Sequence, residues 1–330
     1  MLKGLALTPP VIGRIAIGRV VEKAGRRLPE KDDEFTLTSQ VQNKEGWVPH
    51  PVDAQLRKDP GAKLRSIPVR LLFDDPDLSL RANYTMFDRA TGRPLCVGDG
   101  ESCKRVTLSG MQSLPCPSPA VCALAQDGNC KPYGRLHVRV EAEGNTEAGM
   151  ADMSGDELGS FVFRTTGFNS IRTLSARLRY LFAVSGGLLA GLPLELRLRG
   201  KSTTLSHRTP IYYVDLTLRA GSNLAQVVAL ARQEREQQAA LGLDQAALDD
   251  AARQGLALGE FEESVEEGID VVEEFYPESD TDGDGAGVSP QSAKDPSGPI
   301  SLRSKLNRRQ EAVAARTAAT GDPGAAHVAA

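Results

Sequence analysis

Leu194, Leu196 and Leu198 alternate with Glu195, Arg197 and Arg199, the two-residue period of a strand with one buried face. Leu136, Val138 and Val140 alternate with His137 and Arg139 in the same way. Tyr212, Val214, Leu216 and Leu218 do so around Asp215, with Arg219 following. Apolar, β-branched and aromatic residues predict further strands over residues 12–21, 67–73, 83–87 and 160–165. One helix is expected among them, from Ser170 to about Val184. Its Ile171, Leu174, Leu178 and Leu181 recur at helical spacing, and Gly186 and Gly187 end it. Seven strands and one helix, without strand–helix–strand alternation, predict an α+β body over residues 1–223 with a mainly antiparallel sheet.

The pattern changes at Ser222. Residues 223–242 are rich in Ala, Leu and Gln and predict a helix closed by Gly242; Asp244 can cap a second one over residues 245–254. Residues 254–293 contain no Lys or Arg, and twelve acidic residues fall between Glu260 and Asp284. We therefore expect an acidic α-helical extension over residues 224–275. A disordered tail over 276–330 should follow, rich in Pro, Gly, Ser and Asp at its start, with a basic segment at 301–316.

Charge sharpens this division. The net charge of −4 is the sum of +7 over residues 1–223 (30 Lys and Arg, 23 Asp and Glu) and −11 over residues 224–330 (9 against 20). A basic body with an acidic extension suits a protein that meets nucleic acid and limits its own binding; two solvated surfaces of opposite sign are the plainer reading. No apolar run reaches the length of a membrane-spanning helix, and the first residues lack the features of an export signal, so a cytoplasmic protein is expected.

All five cysteines, Cys96, Cys103, Cys116, Cys122 and Cys130, lie within 35 of the 330 residues, set among turn-forming Gly, Pro, Ser and Asp. Thiols at short intervals in tight loops are what a tetrahedral zinc site needs, and four thiolates would make it closed and structural, so residues 96–130 are expected to form a Cys-rich metal-binding insertion in the α+β body. Cys116, Cys122 and Cys130 are the first three ligands expected, with Cys96 and Cys103 competing for the fourth place. Free thiols, a redox pair and an iron–sulfur cluster are the other uses of such a set. Disulfides fit an odd count poorly.

Arg164, Arg172, Arg177, Arg179, Arg197, Arg199, Lys201 and Arg208 fall within 45 residues in which Glu195 is the one acid. Arg172 and Arg179 are two helical turns apart, and Arg197, Arg199 and Lys201 project to one side of a strand. With Arg164 they could form a surface that tracks phosphates, with Phe168, Tyr180 and Tyr213 as stacking partners for unpaired bases. The alternative is a solvated face over aromatics in the core. Other motifs fail on inspection. Gly200, Lys201 and Ser202 imitate the end of a phosphate-binding loop, but Glu195 stands where its first Gly belongs. Asp280 to Gly285 begins like a calcium loop, but Gln291 stands where the bidentate carboxylate belongs.

The runs PCPSPAVC and CKPYGRLHV, then GSFVFRTTGFNSIRTLSARLRYL, LPLELRLRGK and PIYYVDLTLR, resemble a family from bacterial mobile elements. Its members are named as hydrolases or metal-binding proteins, and it is similar to the large recombination directionality factors of phages that use serine integrases. The resemblance spans roughly residues 10–220. It implies a non-enzymatic, metal-binding accessory protein of DNA recombination, whose partners would be a serine integrase or other recombination protein and, with little base specificity, DNA. A single-strand-DNA-binding recombination protein is the second expectation and a metal-dependent hydrolase the third.

Overall fold

The computed structural model describes residues 10–23, 26–44, 46–57, 59, 61–125, 128–141, 159–202, 204, 208–258 and 265–276. The expected tail with its basic segment at 301–316 lies outside the described residues.

Twelve strands form a single sheet among the described residues. In chain order they are β1 (Val11–Lys23), β2 (Arg26–Asn43), β3 (Gly46–Pro49), β4 (Ser66–Leu71), β5 (Leu80–Phe87), β6 (Pro94–Gly98), β7 (Ser102–Thr107), β8 (Gly110–Pro115), β9 (Cys130–Val140), β10 (Ser160–Thr165), β11 (Leu194–Lys201) and β12 (Ile211–Leu218). The main path runs β3-β2-β1-β10-β9-β5-β6-β7-β8. Every pairing is antiparallel except β1 with β10, which is parallel. The fold is α+β, as the alternation of apolar residues predicts.

β9 is the branch point. One edge pairs with β10; the other is shared by β5 along its first half and by β4 near its end. β4 leads on to β11 and then β12. The Leu194, Leu196, Val214 and Leu216 side chains are fully buried with Leu136 and Val138, so the predicted alternation does mark the inner face.

Helix α3 (Phe168–Ser185) covers that face with Leu174, Leu178 and Leu181. The Ser170 hydroxyl accepts from the Val214 amide at 3.1 Å, fixing its first turn. Gly186 ends it at φ 70°, a left-handed conformation that glycine adopts without steric cost. Two short helices, α1 (Pro51–Leu56) and α2 (Pro76–Ser79), begin at Pro after a capping His50 and Asp75.

The extension forms α4 (Leu224–Ala240), α5 (Gln245–Leu258) and α6 (Val265–Phe275), all within the compact unit that contains the sheet. α4 buries Val227 and Ala231 in the main core and ties Arg235 to Asp74 at 2.5 Å. On α5, the buried Asp249 carboxylate accepts from the Asp74 and Asp75 amides, both at 3.0 Å. The third helix lies inside the expected helical extension, though its own bounds were not among those predicted; it places Val271, Val272 and Tyr276 against Phe87 and Tyr133, a second core on the opposite side of the sheet from α3.

Candidate functional site: the thiol cluster and the arginine rows

The cysteine segment is not the loop insertion expected from its turn residues. Cys96 and Cys103 lie in strands of the main sheet, and Cys130 begins β9. The Pro and Gly residues mark the strand ends, where the ladder needs no amide donor or needs a tight reversal.

Strand register explains which thiols meet. Met86 of β5 is paired with Cys96 on one side and with Cys130 on the other, so the two thiols share a face and flank one methionine. Gly98, two residues beyond Cys96, is opposite Cys103. The Cys116 thiol occupies the space over Gly98: a Cβ built there would lie 2.9 Å from Cys116 Sγ and 2.8 Å from Cys103 Cβ. The Cys116 amide donates to the Glu101 carbonyl at 2.8 Å, and Cys122 enters from a turn in which its amide donates to the Ser118 carbonyl at 3.0 Å. Ser118 holds a positive φ of 66° in that turn.

The five thiols thus lie within electrostatic reach of one another. Burial first, and then the neighbouring Cys96, Cys116 and Cys122, push the Cys130 thiol up to about 12. Burial first, and then Cys96, raise Cys103 as well. Arg105 donates to Cys103 Sγ at 3.8 Å, and its own pKa is raised chiefly by Cys96. Cys103 donates to the Pro115 carbonyl at 3.8 Å. Among the described residues, no three His, Cys, Asp or Glu side chains are set as ligands of one metal ion. Clustered thiols are the donor type that a soft divalent cation takes, but with their ionisation disfavoured such an ion would have to displace their protons to bind.

The expected cationic surface is only partly assembled. Arg172 and Arg179 are exposed on α3, with Arg179 reaching Asp77 at 3.7 Å. On β11, Arg197 pairs with Glu195, and Arg199 pairs with the buried Asp215 at 3.3 Å. Arg177 of α3 also reaches Asp215, at 2.9 Å, and Lys201 donates to Asn169 at 2.7 Å, so helix and strand are joined side by side. Arg164 is elsewhere. It lies on the other face of the sheet, 8% exposed, and pairs with Glu267 of α6 at 2.9 Å. Its position in β10 alternates with the core residues Phe161 and Phe163, which turns it away from α3.

One feature of α3 escapes a reading by charge alone. Phe168, Arg172, Ala176, Tyr180 and Val184 recur every four residues and are all exposed, Phe168 and Tyr180 each at 57%. Two of the aromatics named as stacking partners are therefore at the surface beside two uncrowded guanidinium groups. The four-residue spacing was available in the sequence, but the buried Leu174–Leu178–Leu181 stripe dominates that helix.

The structure is thus a continuous sheet with thiols in one region, cations and aromatics in another, and a helical extension. The chain belongs to the Gp3-like family, described as recombination directionality factor-like, which residues 12–219 match. That span runs from β1 to just past β12 and leaves α4, α5 and α6 outside it. No match was found among curated proteins or among solved structures. Family membership indicates an accessory role in phage recombination. Among the described residues, no helix is long and apolar enough to cross a membrane.

Proposed function

We propose that this protein is a non-enzymatic directionality factor. It binds a serine integrase on its DNA and favours the arrangement that leads to excision over the one that leads to integration. The observation that carries this reading is the family match, which covers the sheet from β1 to β12. The action is a population shift: a protein that binds one of two integrase–DNA arrangements better moves the balance by that difference in affinity. Recombination with the purified integrase of the same element tests it. Adding the protein should allow excision and suppress integration; unchanged yields of both reactions would refute it.

In this reading zinc is held by Cys96, Cys116, Cys122 and Cys130. The support is the Cys96–Met86–Cys130 row, the Gly98 gap under Cys116 and the mutual effects on ionisation. Cys96 is chosen over Cys103 because it shares the Met86 row with Cys130; Cys103, on the same face but one strand further from Cys130, is the alternative. A bound zinc ion would cross-link β6, β9 and the turn around Cys122.

A second reading has one specific observation behind it. The exposed Phe168 and Tyr180 beside Arg172 and Arg179 make a surface on which single-stranded DNA could stack. Salt-dependent binding of an oligonucleotide without integrase would favour it, whereas DNA retention only through integrase would favour the first reading.

A further inference from the structure

α6 has eleven residues, a length at which an isolated helix is marginal in water, so its stability comes from what it packs against. Its bed lies within the family-matched region. Val271, Val272 and Tyr276 fill a hollow formed by Phe87 and Tyr133. Glu267 and Glu274, two turns apart on one side of the helix, reach Arg164 and Arg14, both at 2.9 Å. Arg14 lies over the Trp47 ring at 4.0 Å, which holds its guanidinium in place. At the far end Lys131 donates to the Phe275 carbonyl at 3.1 Å, a cation at a helix C-terminus.

The crossing itself is specific. Gly268 packs on Gly92 in the turn between β5 and β6, and a Cβ on Gly268 would overlap the Gly92 carbonyl. Gly92 has a positive φ of 65°, which favours glycine there. The bed therefore selects a helix by four features: a glycine at the crossing, β-branched residues one turn later, acids two turns apart and a free C-terminal carbonyl. All the bed residues belong to the family-matched span, while the helix they accept lies beyond it, joined to α5 through residues 259–264.

We propose that this face of the sheet is a docking site for an acidic amphipathic helix of a protein partner, and that α6 fills it in cis until such a helix displaces it. Charge complementarity fixes the partner's character: two carboxylates must meet Arg14 and Arg164, and an apolar stripe must meet Phe87 and Tyr133. Tethering gives α6 a high effective concentration, so a partner helix wins only by a better fit or by being presented at high local concentration.

The test uses the full chain and a fluorescent peptide of residues 265–276, read by anisotropy. Gly268→Ala in the protein weakens the cis helix by its clash with the Gly92 carbonyl while leaving every bed residue unaltered in sequence. That variant should bind the wild-type peptide at least about tenfold more tightly than the unaltered protein does. Arg14→Glu added to it should abolish the gain. Glu274→Lys provides a second way to release α6 and should give the same gain. Equal peptide affinity for wild type and both variants, or no binding to either variant while each still shows a cooperative urea transition, would overturn the proposal. A DNA oligonucleotide of equal charge should fail to displace the peptide; displacement at matching concentration would overturn the assignment to a protein helix. The recombination assay with wild-type protein is independent of these outcomes, so the functional reading and the docking site can fail separately.

Discussion

Replacing Gly98 by Ala adds one methyl group at the most crowded point of the thiol cluster. The new Cβ would lie 2.8 Å from Cys103 Cβ, 2.8 Å from the Ser102 carbonyl oxygen and 2.9 Å from Cys116 Sγ. Gly98 is not among the glycines with positive φ, so Ala meets no backbone penalty and the effect comes from crowding. Two of the three contacts are backbone or Cβ atoms, which cannot swing aside, so Cys116 must move. Overpacking of this kind costs about 1–3 kcal/mol. A reduction of roughly 0.4–1 kcal/mol in the freedom of the unfolded chain partly offsets it. Taking the middle of both ranges, the net expectation is a loss of about 1.3 kcal/mol in urea unfolding. If that cost falls on the zinc-bound arrangement, competition against a chromogenic chelator should show about tenfold weaker zinc binding. In a Cys116→Ala background the same substitution should cost measurably less, because the displaced sulfur is gone. A Gly98→Ala protein with wild-type urea stability and wild-type zinc affinity would refute both the packing and the ligand assignment.

Three further expectations follow from particular contacts. Cys96→Ser should lose stoichiometric zinc, measured by elemental analysis, whereas Cys103→Ser should keep it; the reverse result would exchange their roles. Asp249→Ala leaves the Asp74 and Asp75 amides without their acceptor and should cost roughly 2–4 kcal/mol in chemical denaturation. Burial, above all, raises the Asp249 carboxyl above its ordinary 3.8, so its contribution is full below that value and is lost as pH rises through the raised one. The stability of wild type relative to Asp249→Asn should therefore decline with rising pH across that window; a flat difference would contradict it. Finally, if single-stranded DNA binds along α3, the Arg172→Ala, Arg179→Ala double variant should reduce the salt slope of oligonucleotide binding by about 1.4. An unchanged slope would remove α3 from the DNA path.

The inner-face strands were legible because one side of each meets a core. Leu194, Leu196 and Leu198 show it plainly, and the structure places β11 accordingly. The α3 stripe and the two helices after Asn223 were equally readable from their periodicity and caps. β6, β7 and β8 were not, since they form the sheet's edge and their residues resemble a chain of turns; only pairing with β5 makes them strands. α6 fell inside the expected helical extension, but its bounds and its packing face were hidden for another reason. Its Val271, Val272 and Tyr276 are spaced for one helix face, but they stand in a stretch defined by its acids and the absence of Lys and Arg. The same omission misplaced Arg164: a cation in an alternating strand looks solvated unless a second layer is known to cover it. For the thiols, sequence clustering identified the group, and strand register was needed to show that Cys96 and Cys130 flank Met86 while Cys103 lies one strand further out on the same face.

The parallel pairing of β1 with β10 joins Val11 to Ser160, and the carboxylate that Arg14 meets lies 260 residues further along the chain. β2 can pair with β1 as soon as both have been made, because a short reversal joins them. The other edge of β1 must wait. At ordinary synthesis rates the intervening chain takes roughly 8–30 s to emerge, during which the new hairpin presents an unfinished edge. The order of birth thus differs from the order in the sheet: the N-terminal hairpin appears first, its lateral neighbour follows about half a chain later, and the cation at its centre is neutralised close to the end of the described chain.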